Sequence, residues 1–155
     1  MKYAFYTLGC KVNQYETQAM QQLLLARGDT LGEFDGVCDC YIVNTCTVTA
    51  VSDKKSRNAI RRARKLNPNA VIGVCGCYSQ HAPEAVRALG VDIIGGSGGR
   101  REFVELMLVM SLGFLAVSLL LKTTPESIAK LDGISNFARN TELIAVASGV
   151  LAVIR

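Results

Sequence analysis

Short apolar runs alternate with amphipathic stretches through the first hundred residues of the chain. Runs rich in β-branched and aromatic residues predict strands at 2–8, 30–34, 41–43, 70–74 and 91–94. Helical patterns lie between them, at about 13–27, 48–66 and 83–89. Strands that alternate with helices at this spacing predict an α/β fold, with an open parallel sheet, flanking helices and right-handed crossovers.

The pattern changes after Arg101. Residues 106–121 form an uncharged and almost wholly apolar run, which is shorter than the roughly 20 residues that span a bilayer. Extending the run back to Phe103 includes Glu105, so a membrane span or hairpin through 103–121 and a buried helical appendage remain evenly matched.

The glycine-rich stretch 95–99 is typical of a hinge, since it lacks the residues of a phosphate-binding loop. We therefore predict an α/β domain over 1–99 and an apolar helical extension over 100–155. Within the extension, 124–133 is expected to form a short amphipathic helix. The apolar run 143–154 is too short to span a membrane.

Composition narrows the chemistry. The chain has six cysteines, a single histidine and no tryptophan, and the first strand follows Met1 directly, with no secretory signal before it. These features favour a reducing, cytoplasmic location, where cysteines serve metal binding or catalysis more often than disulfides.

Cys10, Cys46 and Cys77 each follow a predicted strand and precede a predicted helix. If the strands are parallel, all three thiols lie at the carboxyl edge of the sheet, where open α/β folds bind ligands. Three soft thiolates without a fourth ligand suit an iron–sulfur cluster with one open iron, whereas zinc sites use close Cys-x-x-Cys pairs that are missing here. The alternative is that these cysteines are small buried apolar residues. We favour a core position for Cys75, whereas Cys38 and Cys40 are interpreted as incidental thiols at the strand entrance, too far from Cys46 to share its site.

The helix predicted at 48–66 is strongly basic. Charge of a single sign favours contact with a phosphate backbone, whereas a merely solvated face usually mixes both signs. The cations are Lys54, Lys55, Arg57, Arg61, Arg62, Arg64 and Lys65. Such contacts would position a nucleic acid without reading its sequence.

Four local motifs carry a resemblance to a known family. They are TLGCKVNQYET at 7–17, NTCTVT at 44–49, DKKSR at 53–57 and GCYSQ at 76–80. Together they resemble the N-terminal domain of radical-SAM tRNA methylthiotransferases, over residues 2 to about 105. Within that family the chain is most similar to the branch that acts on threonylcarbamoyladenosine beside the anticodon.

The resemblance implies that Cys10, Cys46 and Cys77 hold an auxiliary 4Fe-4S cluster. Its open iron would present the sulfur that is methylated and inserted into tRNA. Asn13 and Asn44 lie near these cysteines and are candidate hydrogen-bond donors to cluster sulfurs. Helix capping is an equal alternative for Asn13.

The sequence departs from the family in three respects: it lacks the radical-SAM motif, no RNA-binding C-terminal domain follows, and residues 106–155 do not resemble the expected barrel. It contains no Cys-x-x-x-Cys-x-x-Cys motif, so S-adenosylmethionine chemistry requires a radical-SAM domain supplied elsewhere, for example by a partner chain. We assign no catalytic residue and do not expect this chain to act as a transferase alone. It would then be a truncated gene product or a separate cluster domain. The rival hypothesis is a membrane-tethered structural or degenerate α/β module that binds no cluster.

Overall fold

The computed structural model of the protein describes residues 1–47 and 50–123. The strands are β1 (Lys2–Thr7), β2 (Thr30–Gly32), β3 (Cys40–Thr45), β4 (Val71–Gly76) and β5 (Ile93–Ile94). The helices are α1 (Lys11–Ala26), α2 (Ala50–Leu66), α3 (Cys77–His81), α4 (Pro83–Arg87) and α5 (Arg100–Thr123).

The five strands form one parallel sheet in the order β2-β1-β3-β4-β5. Every residue of the central strands β3 and β4 is buried. Burial along the whole strand is expected of a parallel sheet covered on both faces. The predicted α/β fold with a parallel sheet and flanking helices is therefore confirmed.

Side chains alternate between the two faces of the sheet. On one face, Tyr41 and Val43 pack against a cluster that includes Ile60 of α2 and Val86 of α4. On the other face, neighbouring strand residues such as Ile42 pack against a cluster that includes Met20 and Leu24 of α1 and Phe103, Val104 and Met107 of α5. The sheet thus lies between two helical layers.

The first turns of α5 contribute to this core. Phe103 and Met107 are buried against the sheet, and Arg100 pairs with Glu16 of α1. The compact unit Met1–Gly113 includes the first turns of α5, and the domain boundary expected between residues 99 and 100 stays a prediction. Apolar side chains that resemble an appendage in the sequence therefore cover one face of the sheet.

The remaining expectations for the extension have different outcomes. Among the helices described, none meets both the length and the apolarity that crossing a membrane requires. The short helix expected at 124–133 and the apolar run 143–154 lie outside the described residues.

Two local predictions were wrong or incomplete. The first helix begins at Lys11 with Cys10 at its N-cap, so Asn13 lies inside the first turn instead of capping it. Its side chain is buried and donates to the carbonyl of Thr45, a partner far away in the sequence. The five-residue helix α3 was not predicted, since so short a segment has no readable periodicity.

Candidate metal centre and basic surface

The three candidate thiols follow three neighbouring strands of the sheet. Cys10 lies at the N-cap of α1 after β1, Cys46 directly follows β3, and Cys77 directly follows β4 as the first residue of α3. Since β1, β3 and β4 are adjacent and parallel, their carboxyl ends lie side by side. The predicted placement of the three cysteines at this edge is confirmed.

Glycines directly before two of the cysteines let the connections pack tightly. Gly9 and Gly76 have φ values of +100° and +99°, which side chains on L-residues rarely tolerate. A Cβ on Gly9 would lie 2.6 Å from Sγ of Cys46, and one on Gly76 would overlap the carbonyl oxygen of Thr45. The backbone around Cys10 and Cys77 therefore approaches the end of β3 closely only because both positions lack a side chain.

The thiols at this edge differ from those in the core. Backbone N–H groups of Asn13 and Val12, in the first turn of α1, lower the pKa of the exposed Cys10 thiol. By contrast, burial raises the pKa of Cys40 and of Cys75 to about 12. A metal binds the thiolate, so Cys10 is suited to ligation, whereas Cys40 and Cys75 are inert. The core position predicted for Cys75 is confirmed, and Cys40, which was expected only to be an incidental thiol, is buried as well.

Cys38 belongs to the same buried group. Its side chain is 2% exposed in the core beside α2, and burial raises the pKa of its thiol. It lies before the amino end of β3, whereas Cys46 follows the carboxyl end of that strand. Cys38 is therefore separated from the candidate centre by the length of β3.

The three thiols suit some metal groups better than others. In the described part of the chain, no group of three His, Cys, Asp or Glu side chains is arranged to hold a metal ion. A single zinc ion needs every sulfur about 2.3 Å from one point. In an iron–sulfur cluster each thiolate binds its own iron, so the sulfurs lie further apart. Three free thiols on three separate strand ends, with no described group arranged around one ion, fit a cluster better than a single ion.

Asn13 is hydrogen-bonded to the two loops that carry Cys10 and Cys46. Its Nδ2 donates to the carbonyl oxygens of Leu8 and Thr45, at 2.7 and 2.9 Å. Both amide hydrogens are thus directed at backbone carbonyls that precede Cys10 and Cys46. Asn13 ties the end of β1 to the end of β3.

Asn44 and Thr45 continue this network across the sheet. Nδ2 of Asn44 donates to the carbonyl of Asn13 at 3.0 Å and to Oγ1 of Thr17 at 3.2 Å, while its buried Oδ1 has no hydrogen-bond partner among residues 1–47 and 50–123. The Thr45 hydroxyl donates to the Cys75 carbonyl and accepts from the backbone N–H of Ser79. Thr45 and Ser79 belong to the family motifs, but their hydrogen bonds could not be predicted because the partners are 30 and 34 residues away along the chain.

Helix α2 carries the predicted basic surface. Five of its cations are exposed, namely Lys54, Lys55, Arg61, Arg62 and Lys65. Arg57 is half-buried and donates to the Tyr78 hydroxyl at 3.3 Å. These cations lie on the helix that begins just beyond Cys46.

Arg64 differs from the other six cations. Its guanidinium donates to the carbonyl oxygens of Pro68, Ala70 and Gly90 and pairs with Asp92 at 2.8 Å. These bonds occupy its donors within the fold. We therefore leave Arg64 out of the candidate nucleic-acid surface.

An open parallel sheet with free thiols at its carboxyl edge defines an α/β domain of the kind that holds its ligand beyond the strand ends. The profile of uncharacterized protein family UPF0004 matches residues 2–96, and the chain belongs to this family. The resemblance to the N-terminal domain of tRNA methylthiotransferases is thereby confirmed.

Curated relatives agree with this assignment. The chain is 50% identical over 102 residues to the threonylcarbamoyladenosine tRNA methylthiotransferase of Bacillus subtilis, covering 65% of this chain and 23% of the relative. It is 37% identical over 108 residues to the enzyme of that name from Aquifex aeolicus, covering 69% and 26%. The chain thus spans about a quarter of the length of these relatives.

A third relative is more distant but matches more of the chain. The tRNA-2-methylthio-N(6)-dimethylallyladenosine synthase of Hydrogenobaculum is 28% identical over 131 residues, covering 81% of this chain and 30% of the relative. A match to 81% of 155 residues must extend past residue 105. Similarity to such enzymes therefore continues into α5, beyond the limit drawn from the motifs.

Proposed function

We propose that this chain is the N-terminal domain of a threonylcarbamoyladenosine tRNA methylthiotransferase and that Cys10, Cys46 and Cys77 bind an auxiliary 4Fe-4S cluster. The observation that carries the proposal is the position of three free thiols after three adjacent parallel strands. Membership of the family and the names of the relatives support the substrate class.

Each protein group has a distinct task in this proposal. The N–H groups of the first turn of α1 lower the pKa of the Cys10 thiol and so favour the form that binds iron. Cys46, which is 2% exposed, anchors the buried side of the centre, and Asn13 fixes the two connections relative to each other. When bound, the cluster would offer one iron without a protein ligand, where sulfur can be held for transfer.

The partners follow from the same proposal. The exposed cations of α2 would bind the phosphate backbone of tRNA in a salt-dependent way. S-adenosylmethionine chemistry would come from a radical-SAM module outside these residues, in a partner chain or in further sequence. A tRNA substrate places the reaction in the cytoplasm. We find no observation that favours the rival hypothesis of a membrane-tethered module.

Anaerobic reconstitution with iron and sulfide tests the cluster. We expect about four irons and four sulfides per chain, which is the content of one 4Fe-4S cluster, and loss of most of this iron in Cys46→Ala. Cys38→Ala is the matched control, since Cys38 is an equally buried cysteine at the opposite end of β3. Full iron binding by Cys46→Ala, or equal loss in both variants, would contradict the proposed ligands.

A further inference from the structure

A cleft beside α2 combines aromatic rings with positive charge. Its lining residues are Tyr6, Phe34, Lys55, Asn58, Ala59 and Arg62, and its volume is about 190 Å³. A cavity of about 150 Å³ is sufficient to hold a benzene ring. The cleft is therefore large enough for one planar heteroaromatic ring.

The rings of this cleft form a fixed platform. The centroids of Tyr6 and Phe34 are 5.0 Å apart, with their planes at 44°. Phe34 in turn meets Tyr41 of the buried core edge-on, at a centroid distance of 5.5 Å. Because the rings of Tyr6 and Phe34 already contact each other, a ligand ring cannot enter between them. It has to stack against the side that lines the cleft.

Cations and an amide surround this platform. Lys55, Asn58 and Arg62 project from one side of α2, and all three are exposed. Arg62 pairs with Asp35 at 2.6 Å, in an ion pair whose side chains are 56% and 63% exposed. Ion pairs as exposed as this one contribute little stability, so an incoming phosphate can compete with Asp35 for Arg62.

We propose that this cleft binds one nucleotide of single-stranded RNA, with the base stacked on Phe34, the edge of the base against Tyr6, and the adjoining phosphate between Lys55 and Arg62. Sites for single strands combine aromatic platforms with a basic groove in this way, and the amide of Asn58 can bond to a base edge. The inference rests on the proposed function in taking RNA as the partner of α2. It adds a base-binding site to a surface that otherwise meets only phosphates.

The decisive test compares two dye-labelled oligonucleotides of equal length by fluorescence anisotropy. One is ordinary single-stranded RNA, and the other has the same ribose–phosphate backbone without bases. We expect the wild-type chain to bind the base-bearing strand about tenfold more tightly, the usual effect of stacking one base. Phe34→Leu should remove this preference because it keeps an apolar side chain but no ring, and Phe34→Tyr should retain it.

Changes of charge should affect both strands alike. Lys55→Gln should weaken the binding of both oligonucleotides. It should also reduce the slope of log affinity against log salt by about 0.7, the value for one phosphate contact on a single strand. Asp35→Asn should strengthen the binding of both oligonucleotides, because it removes the carboxylate that pairs with Arg62. Circular dichroism and thermal melting of each variant show that it is folded.

Each remaining outcome has a separate meaning. Equal binding of the two strands by the wild-type chain overturns the base-binding cleft but leaves the phosphate-binding surface of α2. A preference that persists in Phe34→Leu also overturns it. No binding of either strand overturns both proposals for RNA, while the iron content still tests the cluster independently.

Discussion

At the scale of single residues, Gly76 has the most demanding position at the candidate centre. Its φ of +99° and ψ of −164° lie in a region that glycine alone adopts, and a Cβ there would overlap the Thr45 carbonyl. We expect Gly76→Ala to lower the free energy of unfolding by about 3 kcal/mol or more, since backbone strain of about 1–3 kcal/mol adds to the clash.

Gly28→Ala provides the matched control, measured by urea denaturation of the metal-free proteins. Gly28 also has a positive φ, +86°, but nothing lies within 4 Å of its Cβ position. Gly28→Ala should lower the free energy of unfolding by only about 1–2 kcal/mol, the cost of the left-handed conformation for an L-residue. Equal losses in the two variants would show that contact with Thr45 is unimportant.

At the candidate site, the positions of the cysteines could be predicted from the sequence, but the contacts of other residues could not. The positions of Cys10, Cys46 and Cys77 could be predicted, because a cysteine after a parallel strand has only one edge at which to lie. The role of Asn13 could not, since its amide bonds to a carbonyl 32 residues away and local spacing suggested a cap. The pairing of Tyr6 with Phe34 also depends on folding, because no pattern joins a strand residue to a distant loop.

At the scale of elements, Arg64 fastens α2 to the loops before β4 and β5. Replacing it by methionine leaves Asp92 and three carbonyl oxygens without this partner. We expect Arg64→Met to lower the free energy of unfolding by about 2 kcal/mol, in line with hydrogen bonds to charged groups. RNA affinity should stay the same once the variant is folded.

Lys65→Met is the control on the same helix. Lys65 is exposed, so its loss should change stability by no more than about 0.5 kcal/mol. It should nevertheless reduce the salt dependence of RNA binding, by about 0.7 in the slope for one lost phosphate contact. If Arg64→Met weakens RNA binding as Lys65→Met does, Arg64 belongs to the RNA surface after all.

The elements themselves were readable to different degrees. Strands and helices alternate as the hydrophobic pattern predicts, and the parallel sheet follows from that alternation. The first turns of α5 were not placed, because Phe103 and Met107 are apolar whether they enter a membrane, extend outward or cover a sheet. What decides between these three placements is the sheet face beside α1, which α5 covers. That face exists only in the folded chain, so the sequence pattern could not reveal it.

At the scale of the whole molecule, the division at Gly113 predicts how truncated chains behave. A fragment of residues 1–113 keeps both helical layers of the sheet. We expect it to unfold in urea as cooperatively as the full chain, and to bind the same iron if the cluster proposal holds. A fragment of residues 1–99 lacks the buried Phe103, Val104 and Met107.

The free energy of unfolding of the 1–99 fragment should be lower than that of the full chain by on the order of 5 kcal/mol or more. Truncating a single buried Phe or Met side chain already costs about 2–5 kcal/mol. The expected loss is comparable with the total stability of many domains, about 5–15 kcal/mol, so this fragment should be largely unfolded by circular dichroism. A stable, cooperatively folding 1–99 fragment would show that α5 is dispensable for the sheet.

The strand order also sets the time at which the proposed centre can form during translation. Its thiols follow β1, β3 and β4, so the last thiol leaves the ribosome well after the first. At about 5–20 residues per second, several seconds separate the synthesis of Cys10 from that of Cys77. If the cluster proposal holds, all three thiols can bind iron only after β4 has joined the sheet, and until then Cys10 would remain an exposed free thiol.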